Sequence, residues 1–449
     1  MNRLRHTFDP VRWRALPWSP TVPTDRSSVL ATQLRHLQRL LVHAQEAVPL
    51  FRQRLAAGGV SACDIRSLAD FHRLPTFTSR DYQDVEPAHR IADGLDPTTL
   101  LDRSTSGSTG ERMTVHRTWF EERLLNLFRW RAWRSYGLRL TDRMAVLYFH
   151  RNVDSRDSQW IQRAAQALGL YRNRVFDALG DPRLVQAVAD FQPHAISGMT
   201  SAIAHWVDAA ADTRGTLRPR FIATGGELLT EPLRARIAAL GVPVHDLYGC
   251  NELNLVAWEC PSGNGHYHVC DDAHHVEVLD AEGREVPVGD WGEVVVTSLF
   301  SFAMPFIRYR LGDLARRGPD ECPCGAAYST LLAIGGRTID RFPMADGRWL
   351  HPWEVINGVR PHFPWIRQYQ LVQPSRDRLV FRVIPRTTPT PAMVQGLTQS
   401  GQKALGGRAT FEVELTASIQ ATASGKPRPF VALNRERAVG TTNGTEDTN

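Results

Sequence analysis

Between Met144 and Leu247, short apolar runs alternate with amphipathic ones. Ala145 to Phe149, Phe221 to Ala223 and Val242 to Leu247 read as strands, and Trp160 to Leu168 and Pro232 to Leu240 read as helices. A strand followed by a helix re-enters its sheet parallel to where it left, so this alternation predicts a largely parallel sheet covered by helices. After about Asp271 the pattern changes. His275 to Leu279 and Glu293 to Ser298 are alternating or valine-rich runs between glycine-rich turns, as β-strands are. A third region begins near Arg341, with a hairpin pattern in Gln368 to Val372 and Arg378 to Ile384 around Pro374 and Ser375. A helix over Met393 to Leu405 and a strand over Thr410 to Leu415 follow. Ahead of all this, Leu34, Leu37, Leu41 and Val48 stripe one expected amphipathic helix from about Val29 to Leu55.

A chain of 449 residues exceeds what one core usually serves, so more than one domain is expected. The expectation is α/β: a large N-terminal domain over 1–340 with parallel sheets and a β-rich subdomain, then a small mobile α+β domain over 341–435. The polar stretch 436–449 reads as a disordered tail. The 42% hydrophobic and 22% charged composition is that of a soluble globular protein. No apolar run approaches the roughly 18 to 20 residues that span a bilayer, and the N-terminus carries no apolar signal region, so no membrane and a cytoplasmic location are expected. The net charge of +6 is spread among 47 acids rather than gathered, which argues against nucleic acid as a partner. Arg129-Trp130-Arg131-Ala132-Trp133-Arg134 mixes cations with aromatics, but at helical spacing it reads as a partly buried helix with snorkelling arginines.

Of the 53 cationic residues only Lys403 and Lys426 are lysines. Lys426 lies in Thr422-Ala423-Ser424-Gly425-Lys426-Pro427-Arg428. An ammonium is a compact point charge on a flexible stem, suited to approaching a single oxygen, whereas guanidinium is a broad fork. Lys426 is therefore a catalytic candidate. Arg103-Ser104-Thr105-Ser106-Gly107-Ser108-Thr109-Gly110 is a second candidate element, because small residues let backbone amides and hydroxyls surround phosphate oxygens. No Gly-Lys-Ser/Thr follows, so it is not a Walker loop.

Further motifs come in a fixed order: Thr224-Gly225-Gly226-Glu227, then Asp246-Leu247-Tyr248-Gly249-Cys250-Asn251-Glu252, then Arg308-Tyr309-Arg310-Leu311-Gly312-Asp313, then Gly336-Arg337-Thr338-Ile339-Asp340, and last the lysine motif. Together, from about Leu74 to Arg428, they resemble the adenylate-forming (AMP-binding) superfamily, most closely its phenylacetate-CoA ligase-like branch. The resemblance implies an enzyme that joins ATP and a small carboxylic acid, aryl or otherwise, into an acyl-adenylate with loss of pyrophosphate. It then implies transfer to coenzyme A, giving a thioester. Two anions must meet in the first step, so phosphate charge must be neutralised and the carboxylate held in line.

The roles carried over are these. Ser106, Gly107, Ser108, Thr109 and Gly110 cradle the β- and γ-phosphates. Gly225, Gly226, Asp246 and Tyr248 frame the adenine, with Glu227 and Gly249 in the same motifs and Tyr248 also near the acyl group. Glu252 helps to hold Mg2+, a hard cation that prefers carboxylate and phosphate oxygens. Asp313 accepts hydrogen bonds from the ribose hydroxyls, and Arg337 contacts the ribose. Lys426 reaches the α-phosphate and the attacking carboxylate when the small domain closes, and Asp340 is the hinge.

Cys260, His268, Cys322 and Cys324 offer three thiolates and an imidazole, a set that suits tetrahedral Zn2+. Some members of the branch have cysteine, histidine and Cys-x-Cys at similar places, which supports a structural zinc; His266 and Cys270 stand as alternative ligands. The sequence departs from the family where Glu111 and Arg112 replace the usual lysine after the phosphate loop, and where Asn251 replaces threonine or serine. The amide of Asn251 can still donate to phosphate. Leu147-Tyr148-Phe149-His150-Arg151-Asn152, where the acyl pocket is expected, names no acid. An amine, a hydroxyl or a carrier protein as acceptor, a degenerate nucleotide-binding protein, and a homodimer all stay open.

Overall fold

The computed structural model describes residues 23–104, 113–148, 166–170, 172–178, 183–210, 217–337, 342–350, 352–419 and 429–433. Two compact units divide the chain: Met1–Glu227 with Gly241–Gly335, and Leu228–Leu240 with Gly336–Asn449.

The first unit begins with helix α1 (Arg26–Ala47), whose N-terminus is capped by the Asp25 side chain accepting from the Ser27 amide. It stops at Val48, and α2 (Pro49–Ala57) starts immediately. The single helix expected over Val29 to Leu55 is thus two. Pro49 supplies the reason, because its ring disfavours helical geometry at Val48 and it has no N–H to give to the preceding turn. Val48 is accordingly extended, and Pro49 takes the first helical position, where no partner is needed.

A hairpin of β1 (Leu101–Ser104) and β2 (Thr114–Arg117) leads into α3 (Trp119–Ser135). Thr118 and Glu121 form a capping box at the start of α3. The same Glu121 carboxylate accepts from the amides of Phe302 at 2.6 Å and Ala303 at 2.8 Å, which ties α3 to a buried loop far along the chain. The arginine-and-tryptophan run is the second half of this helix, and its Arg131 is buried against Asp272 and Tyr328.

The alternating region then forms β3 (Arg143–Tyr148), β4 (Arg172–Asp177), helix α4 (Leu184–Phe191), β5 (Ala195–Met199), helix α5 (Thr200–Ala209), β6 (Ile222–Gly225) and β7 (Val244–Cys250). Neighbours in the order β4-β3-β5-β6-β7 pair in parallel, as the alternation predicts. Met144, Ala145, Leu147, Ala195, Ile196, Ile222 and Ala223 are fully buried, the composition that a strand covered on both faces requires. Beyond β7 the direction reverses. β8 (Asn254–Glu259), β9 (Tyr267–Val269), β10 (His274–Leu279), β11 (Trp291–Ser298), β12 (Tyr309–Arg317) and β13 (Thr330–Arg337) continue the same sheet. Among the described residues the full order is β10-β11-β12-β13-β9-β8-β7-β6-β5-β3-β4, eleven strands. The β-rich region expected after Asp271 is therefore the antiparallel half of one mixed sheet.

The second unit contains α6 (Glu231–Ala238), the two-residue strands β14 (Phe342–Pro343) and β15 (Trp349–Leu350), α7 (Pro352–Val359), β16 (Ile366–Ser375), β17 (Arg378–Pro385), α8 (Pro391–Leu405), β18 (Thr410–Leu415) and β19 (Phe430–Val431). Its sheet runs β18-β17-β16-β19, with the expected hairpin as the antiparallel centre. Val355, Ile356, Leu371, Phe381, Leu397 and Phe411 share its core, against which Leu228 packs. Among the described residues no helix is long and apolar enough to cross a membrane.

Candidate functional site

Strand β7 is parallel to β6 on one side and antiparallel to β8 on the other, so its C-terminal end meets two kinds of neighbour. The motif residues gather there. Asp246 is buried, and its carboxylate accepts from the hydroxyls of Thr224 on β6 at 2.8 Å and Tyr267 on β9 at 2.9 Å. Its backbone amide donates to the Glu259 carboxylate on β8 at 2.9 Å. Tyr248, two residues on and also buried, donates its hydroxyl to Asp313 at 2.8 Å, so the two residues expected at adenine and ribose touch one another.

Two glycines of these motifs are required by geometry. Gly226 has φ +73°, which side chains with a Cβ rarely adopt. A Cβ on Gly249 would lie 2.0 Å from the Asn254 carbonyl oxygen, where β7 and β8 come together across an irregular register. Glu227, between them in the chain, accepts from the Ser201 amide at 2.7 Å and so fastens the loop after β6 to the start of α5.

Past β7, the Tyr309 hydroxyl lies 3.4 Å from a Glu252 carboxylate oxygen. Burial, then the nearby Glu252 and Asp313 carboxylates, push the Cys250 thiol well above its ordinary range, so it is neutral beside Glu252. A carboxylate in this setting is the donor type that magnesium prefers. The Asn251 carbonyl accepts from Arg117 at 2.5 Å, and Arg117 pairs at 3.0 Å with Glu122, which also holds Arg103 at 3.2 Å. Desolvation pushes the Glu122 carboxyl up, yet the two guanidinium groups outweigh it and the net displacement is downward. Arg103 stands at the root of the Ser/Thr/Gly loop, so one carboxylate links that root to the segment bearing Glu252.

Arg308 opens the motif that ends in Asp313. It is a buried non-glycine residue at φ +43°, held by a fork onto both Glu277 oxygens at 2.8 and 3.0 Å and by the His72 and Leu74 carbonyls. That anchoring sustains a backbone conformation that costs energy by itself.

A second cluster lies just past β8, on β9 and in the turn before β13. Ligand atoms of Cys260, His268, Cys322 and Cys324 all lie within 4.8 Å of one another, with 3.8 Å between the Cys260 and Cys322 sulfurs and 3.3 Å from the Cys324 sulfur to His268 Nε2. Bonds of ~2.3 Å from zinc to sulfur give a tetrahedron edge of ~3.8 Å, so the donor set fits zinc in kind and spacing. Burial, then His266, depresses His268 to about 4, leaving a neutral imidazole. Asn264 donates to the Cys322 sulfur at 3.2 Å, an outer contact that suits a thiolate. The gathered set includes neither alternative ligand: Cys270 turns to Asp272 at 3.6 Å, and His266 meets the cluster through its carbonyl, which accepts from the Cys260 amide.

Ser106, Gly107, Ser108, Thr109 and Gly110, the hinge Asp340 and the lysine Lys426 lie outside the described residues, as do Phe149 to Asn152 and the side chain of Arg337. Tyr267, Glu259, Arg117 and Glu122 are not among the expected site residues. They belong to neighbouring strands and helices, and no spacing within the chain announces them.

No family model matches the chain. Phenylacetate-coenzyme A ligase of Pseudomonas putida is 31% identical over 310 residues, covering 66% of this chain and 69% of the relative. The enzyme of the same name from Thermus thermophilus is 29% identical over 361 residues, covering 77% of this chain and 79% of the relative. Among solved structures, 2-hydroxyisobutyryl-CoA ligase in the postadenylation state with 2-HIB-AMP superposes with TM-score 0.74 at 24% identity over 90% of both chains, a likeness of fold. With a curated relative above 30% identity across most of its length, and with the described motif residues of β6, β7 and β12 in mutual contact, the chain belongs to the phenylacetate-CoA ligase-like branch of the adenylate-forming superfamily, the AMP-forming acid–CoA ligases.

Proposed function

We propose that the protein activates a small organic carboxylic acid with ATP, releasing pyrophosphate and forming an acyl-adenylate, and then passes the acyl group to coenzyme A. Family membership supports the reaction class. The observation that carries the reading to this chain is the buried Tyr248–Asp313 pair, with Asp313 and Glu252 both close to Cys250, since it gathers the expected base, ribose and magnesium contacts. Related solved structures carry 2-HIB-AMP with CoA and anthranoyl-AMP, which fits an aliphatic or aryl acid of modest size.

In this reading Asp313 accepts from the ribose hydroxyls while Tyr248 fixes the carboxylate's direction. Asp246, Gly225 and Gly226 bound the adenine, and Ser106 to Gly110 receive the outer phosphates. Glu252 would hold Mg2+, which supplies positive charge to the phosphates when bound. Cys260, His268, Cys322 and Cys324 would hold a structural Zn2+ that clamps β8, β9 and the Cys-x-Cys turn. Lys426, on the small domain, brings a point charge to the α-phosphate and the attacking carboxylate, where charge develops.

The test is acid-dependent ATP–pyrophosphate exchange across aryl, branched and hydroxy acids, followed by thioester analysis with coenzyme A. Lys426→Ala is expected to lower exchange on the order of 10²- to 10³-fold while thioester formation from supplied acyl-adenylate persists. Equal loss of both half-reactions would falsify the role given to Lys426. Exchange with no acid in the panel, by protein that is folded, would remove the ligase reading.

A further inference from the structure

The cysteine–histidine cluster and the nucleotide residues meet through two side chains that neither motif contains. Glu259 immediately precedes Cys260, and Tyr267 immediately precedes His268. They face each other in the antiparallel register of β8 and β9, one step from the opposed pair Trp258 and His268. Both reach the same residue: Glu259 accepts the Asp246 amide at 2.9 Å, and Tyr267 donates to the Asp246 carboxylate at 2.9 Å. The strand pair that presents two candidate metal ligands therefore also holds Asp246 by backbone and by side chain.

From this geometry we infer that Glu259 and Tyr267 are positioning residues which couple the cysteine–histidine cluster to the adenine end of the nucleotide site. The physical argument has three steps. Alternate residues of a strand point to opposite faces, so a residue next to a metal ligand projects away from the cluster and toward the neighbouring surface. Cross-linking β8, β9 and the Cys322–Cys324 turn through one cation fixes where those projecting side chains sit. Asp246 is buried, and a hydroxyl donates to each of its carboxylate oxygens, Thr224 to one and Tyr267 to the other, so both help to set its acceptor direction. An oriented carboxylate accepts from the exocyclic amine of adenine and opposes the carbonyl oxygen that guanine presents at the same place. The cluster would then act on nucleotide affinity and base choice rather than on stability alone. This inference rests on the proposed ATP-dependent function, since Asp246 is taken as an adenine contact.

The experiment is calorimetric binding of MgATP and MgGTP to the full chain, which needs no knowledge of the acid. Tyr267→Phe and Glu259→Ala, each with metal content verified, are expected to weaken ATP binding about tenfold. They should also narrow the preference for ATP over GTP. Removing metal from the wild type with a chelator, and restoring it with zinc, is expected to lose and recover the same affinity. Removing metal from Tyr267→Phe should cost much less than it costs the wild type, because the link is already cut. Tyr267→Phe that binds ATP as the wild type does, or a metal effect that multiplies fully with the substitution, overturns the coupling. If the stripped protein unfolds, the two metal-loaded variants decide the matter alone. Wild type that binds ATP yet activates no acid refutes the ligase reading while these arms still decide the inference. Wild type that binds no ATP overturns both.

Discussion

The two halves of the eleven-stranded sheet are built on different principles. In the parallel half, β3 to β7 bury aliphatic side chains, and their chemistry sits at the strand ends, at Gly225, Asp246 and Tyr248. The antiparallel half buries charge. Arg308 pairs with Glu277, Arg131 with Asp272, and Arg26 with Asp271, each at or near full burial of the carboxylate. Helices cover both faces of parallel strands, which leaves only their ends for ligands. The antiparallel strands instead carry long loops back over themselves, and those loops need specific ion pairs to stay put. The lesson is a division of labour: the parallel half brings candidate site residues to β6 and β7, and the antiparallel half adds Asp313 and Tyr267 and anchors its loops with buried ion pairs.

That contrast can be broken most readily at Arg308. Arg308→Ala leaves Glu277 buried without its partner and is expected to cost about 3–5 kcal/mol, read from chemical denaturation. A loss below about 1 kcal/mol would mean that the ion pairs of this half do not anchor it.

Acid is the next probe. Burial depresses His36, His274 and His275 to about 4, in each case as the largest cause. All three lie in or against the antiparallel half, His36 packing on Phe300 and His275 on Phe71. The unfolded chain takes up protons near pH 6.5 while the folded histidines resist until about 4, so each removes stability as pH falls through that window. The slope per histidine is up to ~1.4 kcal/mol per pH unit. The carboxyls of Glu121, Asp271 and Glu277, raised first by burial, act in the opposite sense. His275→Gln should therefore flatten the fall in melting temperature between pH 6.5 and 5 relative to wild type. Parallel curves would refute the assignment.

The smallest expected effect falls on the parallel side. Tyr248→Phe removes one hydrogen bond to Asp313 and should raise KM for ATP about tenfold, with a stability change near 1 kcal/mol. A large stability loss with ATP affinity intact would reverse the division between the halves.

Much of this was legible along the chain, and the failures have identifiable causes. The hairpin of β16 and β17, helix α8 and strand β18 follow the sequence pattern closely because each buries one face and alternates accordingly. Pro49 was visible but overridden by the leucine stripe, which continues on either side of the break. Strands β4 and β5 escaped notice: β4 carries Arg172 and Arg174, and β5 is only five residues long.

The site divides in the same way. Order and spacing of motifs along one chain carried the family, the reaction class and the candidate cysteine–histidine set that the fold gathers, since each motif needs particular residue types at short range. Only the folded sheet brought Glu259 and Tyr267 onto Asp246, Arg117 onto Asn251, and Tyr248 onto Asp313. Those contacts join residues that are 13 to 134 positions apart. The Asp246 contacts arise from strand register, which hydrophobic burial and backbone pairing select for the sheet as a whole and which no local stretch of sequence encodes, and the Arg117 contact from the seating of a separate hairpin on the turn after β7.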